Sequence, residues 1–94
     1  MHNWTYEENE VCVEQAFKSF VIERDYDYEF VINKLYHYFE GEIMKNSIKM
    51  KLQNIKYLFN KYNIPNTLSL AELSNVAYDN ELAFIAISKK YSKF

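Results

Sequence analysis

Gly41 is the only glycine and Pro65 the only proline in this chain of 94 residues. An all-β fold turns back on itself roughly every 8–12 residues, and those turns draw on Gly and Pro for backbone shapes that other residues resist. A chain with one of each has to be built from helices joined at a few punctuated places. Hydrophobic residues make up 49% of it and aromatic residues 18%, enough apolar surface to bury a core and to exclude disorder. The length supports one domain with a modest core and not two. The expectation is therefore all-α: a single domain over residues 1–94, a compact bundle of about four to five helices with a helix-turn-helix or Myb-like core.

The chain is organised around the stretch 45–62. Ile48, Leu52, Ile55 and Phe59 recur at i, i+4, i+7 and i+11, and Leu58 and Tyr62 widen that stripe. The spacing predicts a helix over 47–62, capped by Asn46 or Ser47. Lys49, Gln53, Lys56 and Asn60 fall together on another face. Lysines suit phosphates, and carboxamides can hydrogen-bond base edges, so such a face could read DNA; a solvated polar face has the same composition.

Thr5 and Glu8 form a capping box that starts a helix of about four turns near Tyr6, with Cys12, Val13, Ala16, Phe17 and Phe20 on its buried side. Trp4 reads as an aromatic anchor on the core. Cys12 is the only cysteine, so no internal disulfide forms, and the surrounding glutamates argue for a core residue rather than a reactive thiol. Residues 23–27 read as a loop, with Asp25 or Asp27 capping a second helix through about Phe39. Its stripe is Tyr28, Val31, Ile32, Leu35, Tyr38 and Phe39, with His37 outside. Gly41 supplies a left-handed cap. Beyond the turn at Pro65, Leu68, Leu70 and Leu73 suggest a short helical segment. Asp79 or Asn80 then caps a last helix through about Tyr91. Its segment 82–87 is apolar nearly all round, which calls for a central place in the core or for a homodimer or partner surface. Lys89, Lys90 and Lys93 form a small basic tail.

The net charge of −2 conceals two opposite halves. Residues 1–42 hold ten acidic and three basic side chains, a net −7; residues 43–94 hold three acidic and eight basic ones, a net +5. The proposed reading helix lies in the positive half. Catalytic chemistry is not legible. One glycine cannot make a phosphate-binding loop, the two histidines have no nucleophile or metal-ligand partners at useful spacing, and the carboxylates sit on outward helix faces. The reading is a non-enzyme with no catalytic residues, no metal and no cofactor. No apolar run approaches the ~20 residues of a membrane span, and the expected location is the cytoplasm.

Two motifs carry a family resemblance. Trp4-Thr5-Tyr6-Glu7-Glu8 and the run from Ser47 through Lys51-Leu52-Gln53-Asn54-Ile55 stand in the order and spacing of two patterns, Trp-Thr/Ser-x-Glu-Glu and Ser-x-x-x-Lys-Leu-x-Asn-Phe/Ile. Both resemble the N-terminal domain of bacterial HNH-type restriction endonucleases, and a partial match from Leu73-Ser74 to Asn80 extends the likeness to most of the chain. The resemblance implies a small helical domain that helps position a nuclease on DNA. Where the family often has Gly-Arg before the helix, this chain has Met44-Lys45-Asn46, so Lys45 stands nearest to that arginine. The His-Asn-His nuclease core is missing.

The leading functional expectation is a stand-alone DNA-binding module, with Lys49, Gln53, Lys56 and Asn60 facing the groove and Lys45 and Lys51 on phosphates. The alternative is a phage or mobile-element inhibitor of a host defence complex, of the anti-restriction or anti-CRISPR type. It would bind a nucleic-acid-binding protein complex through an acidic surface that includes Glu7, Glu10 and Glu14.

Overall fold

The computed structural model describes residues 2–92. Among the described residues the chain is helical and without strands, and it forms a bundle of four helices: α1 (Tyr6–Ala16), α2 (Tyr28–Tyr38), α3 (Lys45–Lys61) and α4 (Tyr78–Tyr91). A π-helical segment, Phe17–Ile22, prolongs α1.

The capping box forms as its residues dictate. Thr5 Oγ1 accepts from the Glu8 N–H at 3.1 Å, and Glu8 Oε1 accepts from the Thr5 N–H at 2.9 Å. The π segment that follows has no signal in the hydrophobic pattern. Its wider turns bond i to i+5, as in Glu23 N–H to Lys18 O at 2.9 Å, and keep Phe17 and Phe20 both buried. Between the two candidate caps of α2, Asp27 does the capping: its Oδ1 accepts from the Phe30 N–H at 3.1 Å, while Asp25 accepts from Asp27 itself. Gly41, at φ +74°, closes α2 by donating its N–H to Tyr36 O at 3.0 Å.

Three sequence-based expectations are corrected. First, α3 begins at Lys45 with Met44 as N-cap, so neither Asn46 nor Ser47 caps it. Ile43 and Ile48 occupy the positions of a hydrophobic staple across this start, and both are buried; apolar anchoring replaces the side-chain cap. Second, Leu68, Leu70 and Leu73 are not helical. The segment 63–77 ties its backbone to other elements at two places, Thr67 N–H to Phe20 O at 2.9 Å and Leu73 N–H to Gln53 O at 3.1 Å, and the Leu68 N–H goes to Asn66 Oδ1 instead of into a helical turn. Third, α4 starts at Tyr78 with the uncapped Ala77 before it, so Asp79 and Asn80 lie in its first turn. Asn80 is wholly buried and faces inward instead of capping.

The core lies where α1, α3 and α4 meet. The Phe17 ring stands edge-on to Phe59 with centroids 5.2 Å apart and stacks on Tyr91 at 5.1 Å; Phe84 closes the cluster 5.6 Å from Phe59. Phe17–Tyr91 and Glu14–Lys90 pair the C-terminal ends of α1 and α4, so the two helices run parallel. The segment 82–87 does not occupy the centre of this core. Ala83 and Phe84 are buried, but Leu82 and Ala86 face outward, because α4 packs on its neighbours through one side only. Lys93 lies outside the described residues.

Candidate functional site

The polar face of α3 is a seat for the segment 63–77. Lys56 Nζ donates to Asn66 Oδ1 at 3.0 Å, Asn60 Nδ2 donates to the Glu72 carboxylate, and Asn54 Nδ2 donates to Leu73 O at 2.8 Å. Gln53 is half-buried beneath the same segment, its carbonyl taken by Leu73. Of the four side chains expected to face a groove, Lys49 is exposed and carries no polar partner among the described residues. Lys45 rests over the Tyr36 ring, 5.1 Å from its centroid. Lys51 is only 5% exposed, with Nζ 4.9 Å from the Trp4 centroid. It borders the apolar stripe, and the fold draws the whole side chain in.

The acidic side of the molecule is arranged differently. Glu7 is exposed and Glu10 half-buried. Glu14 is turned toward α4, where its carboxylate accepts from Lys90 Nζ and the Tyr91 hydroxyl. Between α1 and α2 lies a groove of about 400 Å³, bordered by Glu10, Val11, Lys34, Tyr38 and Ile87. Beside it α2 presents an outer face of Phe30, Lys34, His37 and Tyr38, spaced i, i+4, i+7 and i+8. Phe30 is 60% exposed and Tyr38 64%. The helical stripe places Tyr38 on the buried side, but the buried face of α2 consists of Val31, Ile32 and Leu35, and Tyr38 stands at the edge of the groove. Tyr26, just before α2, is 72% exposed. Phe30 escaped sequence reasoning because a single apolar residue beside a helical stripe carries no signal of its own.

The Glu14 cluster makes fold stability depend on pH. Burial raises the Glu14 pKa, but hydrogen bonds from Lys90 and Tyr91 outweigh it and leave the carboxyl below its ordinary 4.5; the Tyr91 hydroxyl, buried and bound to that carboxylate, is pushed up to about 12. A depressed carboxyl stabilises the fold fully above its unfolded pKa, and the stabilisation fades as pH falls through the folded value. The urea midpoint should drop below pH 4.5, and less so in Glu14→Gln. Parallel acid profiles for the two proteins would show that this cluster contributes nothing.

Among the described residues no group of three His, Cys, Asp or Glu side chains is placed to hold a metal, and no helix is long and apolar enough to cross a membrane. Trp4 lies against Lys51, and Asn54 holds Leu73. Comparison with protein-family models, curated proteins and solved structures finds no match.

Proposed function

We propose that this chain is a non-catalytic binding domain that docks a basic, nucleic-acid-binding protein through the outer faces of α1 and α2. The observation that carries the reading is the exposure of Phe30 and Tyr38 on one helix face, with Glu10 on the rim of the groove that Tyr38 borders. Exposed aromatics are the usual anchors of a protein interface, and carboxylates around them steer a positively charged partner. Glu10 supplies the near charge and Glu7, exposed one turn earlier on α1, adds to the field; Glu14, held by Lys90 and Tyr91, has a structural part. An inhibitor that covers the nucleic-acid site of a defence complex belongs to this class.

The DNA-binding reading, with α2 and α3 as a helix-turn-helix, is the competing proposal. For α3 to enter a groove, the segment 63–77 would have to leave it and break the bonds from Lys56, Asn60 and Asn54. Lys49 and Lys45 remain reachable for phosphate without that change. A third outcome is a homodimer through the open side of α4 around Leu82.

Three measurements separate these. Quantitative pull-down from host extract should retain basic proteins on the unmodified chain. Those proteins should be lost from a Glu7→Lys, Glu10→Lys, Phe30→Ala variant of unchanged helicity. Anisotropy with random duplex DNA at two salt concentrations should show no salt-sensitive binding. Sedimentation at rising concentration should stay monomeric. Retention of the same proteins by the variant, or micromolar DNA binding lost in Lys49→Ala, Lys56→Ala, would overturn the proposal.

A further inference from the structure

At one end of the bundle the start of α4 faces the first residues of the chain across a recess of about 410 Å³, bordered by His2, Trp4, Asn9, Lys51, Tyr78 and Asp79. Lys51 reaches it from α3. The side chain is nearly all buried, yet among the described residues its ammonium meets no carboxylate and no hydrogen-bond acceptor. Glu8, the acid of the adjacent first turn, is engaged elsewhere: its carboxylate accepts from His2 Nε2 and from the Thr5 N–H, both at 2.9 Å. Partial withdrawal from water without a counter-charge disfavours the charged form, and burial lowers the Lys51 pKa accordingly. The Trp4 ring face offsets part of that loss.

The other side of the recess has the same unmet need. α4, 14 residues long, begins at Ala77 without a side-chain cap. Among the described residues no side chain accepts from the N–H groups of Tyr78, Asp79 or Asn80. These groups form the positive end of the helix dipole. An ammonium at the tip of a nearly buried side chain and three amide donors without a side-chain acceptor therefore border one cavity, and both can bind acceptor oxygens there.

We propose that this recess is a phosphate-binding site, in which Lys51 and the first turn of α4 hold the phosphate oxygens and Trp4 forms a wall. Asp79 stands in the same lining. Its carboxylate repels a fully ionised group and accepts from a P–OH, so the site takes phosphate in a protonated form in preference to sulfate, which has no proton to give. The burial of Lys51 restricts the ligand to a free phosphate or one at the end of a chain. The site is separate from the α1–α2 face and independent of the docking proposal.

Trp4 is the chain's only tryptophan, so its fluorescence reports on the recess directly. Inorganic phosphate should change that emission saturably, with sulfate weaker. Lys51→Met should weaken the response roughly tenfold or more, the loss of one charged hydrogen bond. Ala77→Ser provides a variant that cannot fail by misfolding: a serine cap satisfies the α4 amides, raises the melting midpoint and weakens phosphate at the same time. A 5′-phosphorylated oligothymidylate compared with its unphosphorylated form tells a nucleic-acid end from the free ion as the source. No response to either phosphate probe, or an unaltered response in both variants, overturns the site.

Discussion

Phe59→Ala is expected to lower the stability of this domain by about 3–5 kcal/mol. The ring is wholly buried and stands 5.2 Å from Phe17 and 5.6 Å from Phe84, so its removal opens a cavity at the one place where α1, α3 and α4 all meet. Neighbouring helices tied to each other elsewhere cannot collapse fully into such a gap, and the lost dispersion contacts add to the lost transfer energy. A domain of this size holds roughly 5–15 kcal/mol in all, so the variant should sit near the threshold of folding. Its melting midpoint should fall by tens of degrees, at about 4–8 °C per kcal/mol. Phe30→Ala is the matched control. The same truncation at a 60% exposed site should stay within about 0.5 kcal/mol. Urea midpoints of the two proteins test the assignment of core and surface together: similar losses would mean that these phenylalanines do not differ in burial as described.

Thr67→Val should be the next most damaging, at about 1–3 kcal/mol, with its effect concentrated in one segment. Thr67 is buried and fastens the segment 63–77 to the π-helical end of α1. Its N–H donates to Phe20 O at 2.9 Å, and its one hydroxyl proton is directed to Asp25 O, with Phe20 O also within 3.2 Å of the hydroxyl oxygen. Valine keeps the shape and removes the hydroxyl, which leaves the Asp25 carbonyl without that donor. The segment's other anchors, Asn66 on Lys56, Glu72 on Asn60 and Leu73 on Gln53 and Asn54, should then open more often. Amide exchange at Leu73 would rise relative to the interior of α3. Uniform acceleration across the chain, with no excess at Leu73, would show that Thr67 supports global stability only and does not fasten this segment.

The docking and phosphate proposals use different parts of one charge pattern. The proposed docking face uses the exposed aromatics of α2 with Glu10 at the edge of the groove beside them, where a carboxylate would steer a basic partner without contributing much affinity itself. The phosphate site depends on a lysine of the second half that the fold has removed from solvent. Lys49 stands exposed on a solvated helix face, whereas Lys51 is held against Trp4. One residue type thus supports opposite inferences at Lys49 and Lys51, two positions apart on the same helix, because burial and not composition decides how freely water can stand in for a missing partner.

Local sequence determined the helices. The spacing of Ile48, Leu52, Ile55 and Phe59, the Thr5–Glu8 box, the Asp27 cap and the left-handed Gly41 are read within a few residues of one another, and each depends on backbone geometry that needs no distant partner. Tertiary structure decided what those helices present. Thr67 meets Phe20 across 47 positions, and Asn54 meets Leu73 across 19, so nothing local announces that the polar face of α3 is occupied or that the leucines of 68–73 are not helical. Lys51 lies at the edge of the apolar stripe, where helical periodicity allows either side. Only Trp4, arriving from the other end of the chain, turned it inward and left its charge unanswered.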